Sequence, residues 1–124
     1  MHAMKDMPMK NILALVALAL AAPLALAHAA LQGSTPADGA IVTPAPTELR
    51  LRYGEPVEAA LSSVRLLGPG DAAIATAPPA ADPADKRTLV LRLPGLAPGT
   101  YRAQWATVGH DGHRTKGEIR FTVK

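Results

Sequence analysis

Glu48-Leu49-Arg50-Leu51-Arg52-Tyr53 alternates charged and apolar side chains one residue at a time. Successive side chains of a strand point to opposite faces, so Leu49, Leu51 and Tyr53 can bury one face while Glu48, Arg50 and Arg52 solvate the other. The period recurs along the chain. Leu89, Leu91 and Leu93 flank Val90 and Arg92; Tyr101, Ala103 and Trp105 share one face of Thr100 to Ala106; Ile119, Phe121 and Val123 share one face of Glu118 to Val123. Ser63 to Leu67 repeats the pattern, Ala29 to Ser34 supplies a first strand, and Ala72 to Thr76 a weak one. Between them lie turn clusters: Pro36-Ala37-Asp38-Gly39, Pro44-Ala45-Pro46, Gly68-Pro69-Gly70-Asp71, Pro94-Gly95 and Ala97-Pro98-Gly99. Glycine supplies positive φ, and proline fixes φ while removing a ladder donor, so each cluster reverses the chain. No window carries a helical stripe. The reading is all-β: a single Greek-key, immunoglobulin-like β-sandwich of about seven strands. Ala77 to Lys86, rich in Pro and Ala, reads as an exposed, poorly ordered loop.

Upstream, Lys10 precedes the apolar run Ile12 to Leu20, and Ala25-Leu26-Ala27 follows. A basic n-region, a short apolar h-region and an A-x-A signature describe a secretory signal peptide over residues 1–27, cut between Ala27 and His28. The apolar run is shorter than the roughly 20 residues of a membrane span, and Pro23 interrupts it. Of the candidate starts Met1, Met4, Met7 and Met9, Met9 gives the tidiest signal, because it leaves Asp6 out of the n-region. Residues 28–124 form one domain with a periplasmic destination.

Charge and composition narrow the partners. The 124-residue chain carries a net charge of +3, and its basic residues are scattered singly. That is too mild and too dispersed for nucleic acid. With no cysteine, and with all four methionines inside the leader, any metal site in the processed chain must be built from nitrogen and oxygen.

Three histidines survive cleavage: His28, His110 and His113. At a new N-terminus the α-amine and imidazole of His28 can chelate one ion together. His110 and His113 flank Asp111-Gly112 in a loop between the Trp105 and Phe121 strands. Were that loop extended, Asp111 and His113 would point to one side and His110 to the other. The amine and imidazole of His28, the imidazole of His113 and a carboxylate oxygen of Asp111 make an N3O set suited to Cu(II), with zinc held more weakly and Cu(I) poorly served. Each feature also has an ordinary explanation: Asp-Gly is a turn pair, a loop histidine is commonly just solvated, and a histidine beside a cleavage site can be incidental.

The residues resemble the CopC family of periplasmic copper-binding proteins. The resemblance rests on His28-Ala29-Ala30-Leu31, Ser34-Thr35-Pro36-Ala37-Asp38-Gly39, Leu49 to Pro56, Leu96-Ala97-Pro98-Gly99-Thr100-Tyr101, Trp105, Asp111-Gly112-His113, Gly117 and Phe121-Thr122-Val123. It implies that His28, Asp111 and His113 ligate one Cu(II) per chain. Glu55 matches a glutamate near the family's copper site, and would hydrogen-bond the N-terminal amine or a ligand imidazole; the other reading is a surface glutamate beside Pro56. His110 departs from the family pattern, with a solvated loop histidine as its leading reading and an accessory ligand as the alternative. Gly68 to Asp85 lacks the methionines of the family's Cu(I) loop. A CopD-type inner-membrane partner is implied by the family association alone, and the mature form is expected to be a soluble monomer.

Three function classes follow. A copper-binding protein for sequestration, resistance or delivery needs a closed ligand set and no substrate groove. A histidine-brace monooxygenase-like enzyme needs an open coordination position and an exposed aromatic surface, whereas Tyr53, Tyr101, Trp105 and Phe121 all fall on faces that read as core. A metal-free immunoglobulin-like interaction module needs neither. The first reading, without catalysis, is the one the residues favour.

Overall fold

The alternating segments become strands divided between two sheets. One has four strands in the order β1 (Leu31–Thr35), β3 (Glu48–Tyr53), β7 (Asp85–Arg92) and β6 (Ala80–Asp82). The other has five, in the order β2 (Ala40–Val42), β9 (Arg114–Val123), β8 (Gly99–Val108), β4 (Ser63–Leu67) and β5 (Ala73–Ile74). The computed structural model describes residues 29–124. The expected sandwich is present, with nine strands among the described residues where the sequence pattern suggested about seven.

The faces fall as the alternation requires. Leu49, Leu51 and Tyr53 of β3 and Leu89 and Leu91 of β7 pack into one cluster with Tyr101, Ala103 and Trp105 of β8 and Ile119, Phe121 and Val123 of β9. Tyr53 meets Trp105 edge to face with ring centroids 5.2 Å apart, and Tyr101 stacks on Phe121 at 5.6 Å. Such offset and T-shaped geometries suit the aromatic quadrupole. Burial pushes the Tyr53 hydroxyl well above its ordinary pKa. Gly117 lies opposite Trp105 in the β8–β9 register, and a Cβ there would come within 2.5 Å of the indole. The Tyr101 hydroxyl donates to the Ala97 carbonyl at 2.5 Å, tying the entry of β8 to the loop before it.

Two segments differ from the sequence reading. Ala77 to Lys86 is not a poorly ordered loop: β6 pairs with β7, and two aspartates fix the turn between them. Asp82 accepts the Ala84 N–H at 3.0 Å and pairs with Arg50; Asp85 accepts the Arg87 N–H and the Thr88 hydroxyl, each at 3.0 Å. The Ala84 N–H first, then Arg50, holds the Asp82 carboxyl below its ordinary range; the Arg87 N–H first, then Thr88, does the same for Asp85. The other difference is β2, which the alternation did not signal and which runs parallel to β9.

Candidate metal centre

The β8–β9 pairing runs from Gly99 opposite Val123 to Val108 opposite Arg114, and the loop that closes it is Gly109 to His113. This loop is a tight turn and not the extended segment supposed from sequence. The Gly109 N–H donates to the His113 carbonyl at 2.8 Å, the Gly112 N–H donates to the Gly109 carbonyl at 2.9 Å, and Gly112 takes a φ of +87°. Glycine tolerates that left-handed conformation without a Cβ clash.

Asp111 and His113 nevertheless meet, because the turn folds one back on the other. Asp111 Oδ1 accepts the His113 backbone N–H at 3.0 Å, and Oδ2 lies 2.9 Å from His113 Nδ1. Adjacent ligand atoms around an ion held at about 2.0–2.1 Å are separated by about 2.9 Å, so this oxygen and nitrogen have the spacing of neighbouring ligands as well as of a hydrogen bond. The His113 side chain is 69% exposed and that of Asp111 30%, so the pair is open to an incoming ion.

Glu55 reaches the same place from the other sheet. Val57 bridges to Gly109, the Glu58 N–H donates to the Val108 carbonyl at 2.8 Å, and the His110 N–H donates to the Pro56 carbonyl at 2.9 Å. This short zipper lays the segment after β3 along the end of β8 and carries the Glu55 carboxylate over Gly109. A Cβ on Gly109 would lie 2.2 Å from Glu55 Oε1, 3.0 Å from Asp111 Oδ1 and 3.2 Å from the Ala29 Cβ. One small volume is therefore bordered by Glu55, Asp111 and Ala29, and Glu55 Oε1 is shielded from solvent there. Glu55 as a whole is half-buried, with this one carboxylate oxygen turned inward.

Ala29 is fully buried, and its carbonyl accepts the Thr115 hydroxyl at 3.1 Å. His28 lies outside the described residues, but it is joined directly to this anchored alanine. His110 stands apart: its side chain is 80% exposed, and its Nδ1 lies 3.8 Å from Glu58 Oε1. It pairs toward Glu58, while His113 pairs with Asp111. Gly109 and Thr115 were not singled out from sequence. Their roles depend on contacts between distant segments; the one local hint was a glycine immediately before the His-Asp-Gly-His run.

A family model described as the CopC domain matches residues 31–124. The chain belongs to the CopC family. Protein YobA of Escherichia coli K12 is 38% identical over 117 residues, spanning 94% of each protein. Among solved structures, CopC from Methylosinus trichosporium OB3b superposes with a TM-score of 0.74 at 30% identity, covering 78% of this chain and 94% of that one. PcoC of Escherichia coli, described as a methionine-rich copper resistance protein, gives 0.71 at 31% identity, covering 79% of this chain and 100% of PcoC. This CopC-family chain has no methionine after Met9, so the methionine richness of PcoC is not shared by its folded domain.

Proposed function

We propose that this chain is a periplasmic copper-binding protein of copper resistance, which sequesters or delivers Cu(II) at one site per chain. The ligands are the α-amine and imidazole of His28, the imidazole of His113 and a carboxylate oxygen of Asp111. The observation that carries the reading is the convergence of Ala29, Asp111 and Glu55 around Gly109, with His113 held against Asp111. Consecutive Cα atoms lie about 3.8 Å apart, so a residue preceding Ala29 is delivered to this end of the sandwich by chain connectivity.

The donor chemistry fits the cargo. Nitrogen and carboxylate oxygen in a tetragonal arrangement suit Cu(II), and the absence of thioether and thiol donors after residue 27 disfavours Cu(I). Glu55, shielded and beside Asp111, orients the amine or a ligand imidazole and raises its basicity. His110 is a solvated loop histidine. Export and cleavage after Ala27 create the amine, so the leader is part of the binding mechanism. A separate inner-membrane protein of the CopD type would exchange copper with the soluble, monomeric domain.

The four aromatic residues are all buried in the sandwich, with Trp105 the most accessible at 7%. They form no flat exposed surface of the kind a polysaccharide-oxidising enzyme uses, which favours a binding role over catalysis. The test is mass determination of the exported protein followed by Cu(II) titration monitored by electron paramagnetic resonance. The reading expects a chain beginning at His28, one bound equivalent and three coordinated nitrogens. A chain beginning elsewhere, or a spectrum unchanged by removal of His113, would overturn it.

A further inference from the structure

We propose that Thr115, backed by Thr107, is a positioning residue that fixes the copper-binding N-terminus against the ligand loop. The inference rests on the reading that the His28 amine binds copper. Thr107 and Thr115 lie opposite each other in the β8–β9 register, with their hydroxyls 3.0 Å apart. The Ala29 carbonyl can only accept, so the Thr115 proton is committed to it. Thr107, 1% exposed, must then donate to Thr115. The result is a directed chain from Thr107 through Thr115 to the Ala29 carbonyl.

What this chain holds would not hold itself. Ala29 takes a φ of +39°, a left-handed backbone that a residue with a Cβ adopts only under constraint. The constraint comes from both sheets. Thr115 fastens the Ala29 carbonyl to the five-stranded sheet, and the Gly54 N–H fastens the Ala30 carbonyl to the end of β3 in the four-stranded sheet at 3.0 Å. Thr115 also stands two residues after His113. The clamp on the segment that bears one proposed ligand therefore sits at the start of β9, directly after the loop that carries the other. Preorganisation of this kind adds affinity by removing ordering cost.

The test is a competition titration with Cu(II) on chains beginning at His28 and on chains beginning at Ala27, each with Thr115, Thr115→Val or Thr115→Ser. In the His28 chain Thr115→Val should weaken binding about fivefold, the scale of one lost hydrogen bond, and Thr115→Ser should restore it. In the Ala27 chain, where the amine is displaced, Thr115→Val should change nothing. A Thr115→Val variant that binds like the parent in the His28 chain, or that loses affinity equally in both chains, overturns the clamp. If Ala27 and His28 chains bind equally well, the amine reading fails and the clamp with it. Should Thr115→Val not fold, Thr107→Val serves instead: it leaves the Thr115 hydroxyl in place, and the clamp predicts a smaller loss confined to the His28 chain, with no such confined loss overturning it.

Discussion

Glu55 occupies the space that a side chain on Gly109 would need: a Cβ at that position would come within 2.2 Å of Glu55 Oε1. The nearest atom is the tip of a flexible side chain, but the same Cβ would also crowd Asp111 Oδ1 at 3.0 Å and the Ala29 Cβ at 3.2 Å, so Gly109→Ala should displace the Glu55 carboxylate and disturb the ligand loop as well. Loss of an orienting carboxylate typically costs about 10–100-fold in metal affinity. We expect Glu55→Gln to weaken Cu(II) binding within that range, and Gly109→Ala, which also crowds Asp111, to weaken it at least as much by competition titration. Parent-like affinity in both would remove Glu55 from the site.

His113→Ala should separate binding from folding. The imidazole is largely exposed, so its removal should change stability by no more than about 0.5 kcal/mol while lowering Cu(II) affinity by more than about 100-fold. Asp111→Ala should do both kinds of damage, because Oδ1 also accepts the His113 N–H that shapes the turn. Denaturant unfolding of the two apo variants, beside their copper titrations, checks the contrast. His110→Ala should leave the first copper equivalent unaffected.

Copper should leave before the fold does as pH falls. Binding requires a deprotonated amine and neutral imidazoles, so affinity should decline as pH falls and protons compete for those nitrogens. The fold answers to different groups. Asp82 and Asp85 have depressed carboxyl pKa values, so the stability they contribute is complete above the unfolded value of about 3.9 and is lost as pH falls through their lower folded values. Unfolding of the apo protein should therefore be nearly flat from pH 7 to 5 and weaken only below about pH 4. Coincident loss of copper and fold would contradict this separation.

Gly117→Ala tests the core and not the site. Its Cβ would press on the indole of Trp105, which is buried and packed against Tyr53, so neither ring can simply swing away. Overpacking of this kind costs about 1–3 kcal/mol. Thermal unfolding followed by near-ultraviolet circular dichroism should show a lower midpoint and an altered Trp105 signal.

Strands were legible where burial is one-sided and long enough to repeat, as at Leu49, Leu51 and Tyr53. β2 and β6 were not, since three-residue strands show no period, and β6 lies between Pro79 and Pro83 in an alanine-rich stretch that resembles a linker. There the turn is fixed by Asp82 and Asp85 through hydrogen bonds that composition does not reveal. In the site, the Asp111 and His113 pairing followed from their closeness in sequence, although the turn geometry did not. The meeting of Glu55 with Gly109 depends on Val57 bridging to Gly109 between distant segments, and family likeness was the only early indication of it.

In the proposed function, cleavage creates the copper site by freeing the His28 amine. The most direct measurement is the Cu(II) dissociation constant of a chain beginning at His28 beside that of a chain retaining Ala27. Retention of Ala27 should give much weaker binding and one fewer coordinated nitrogen. Equal affinity with an unchanged paramagnetic resonance spectrum would contradict it.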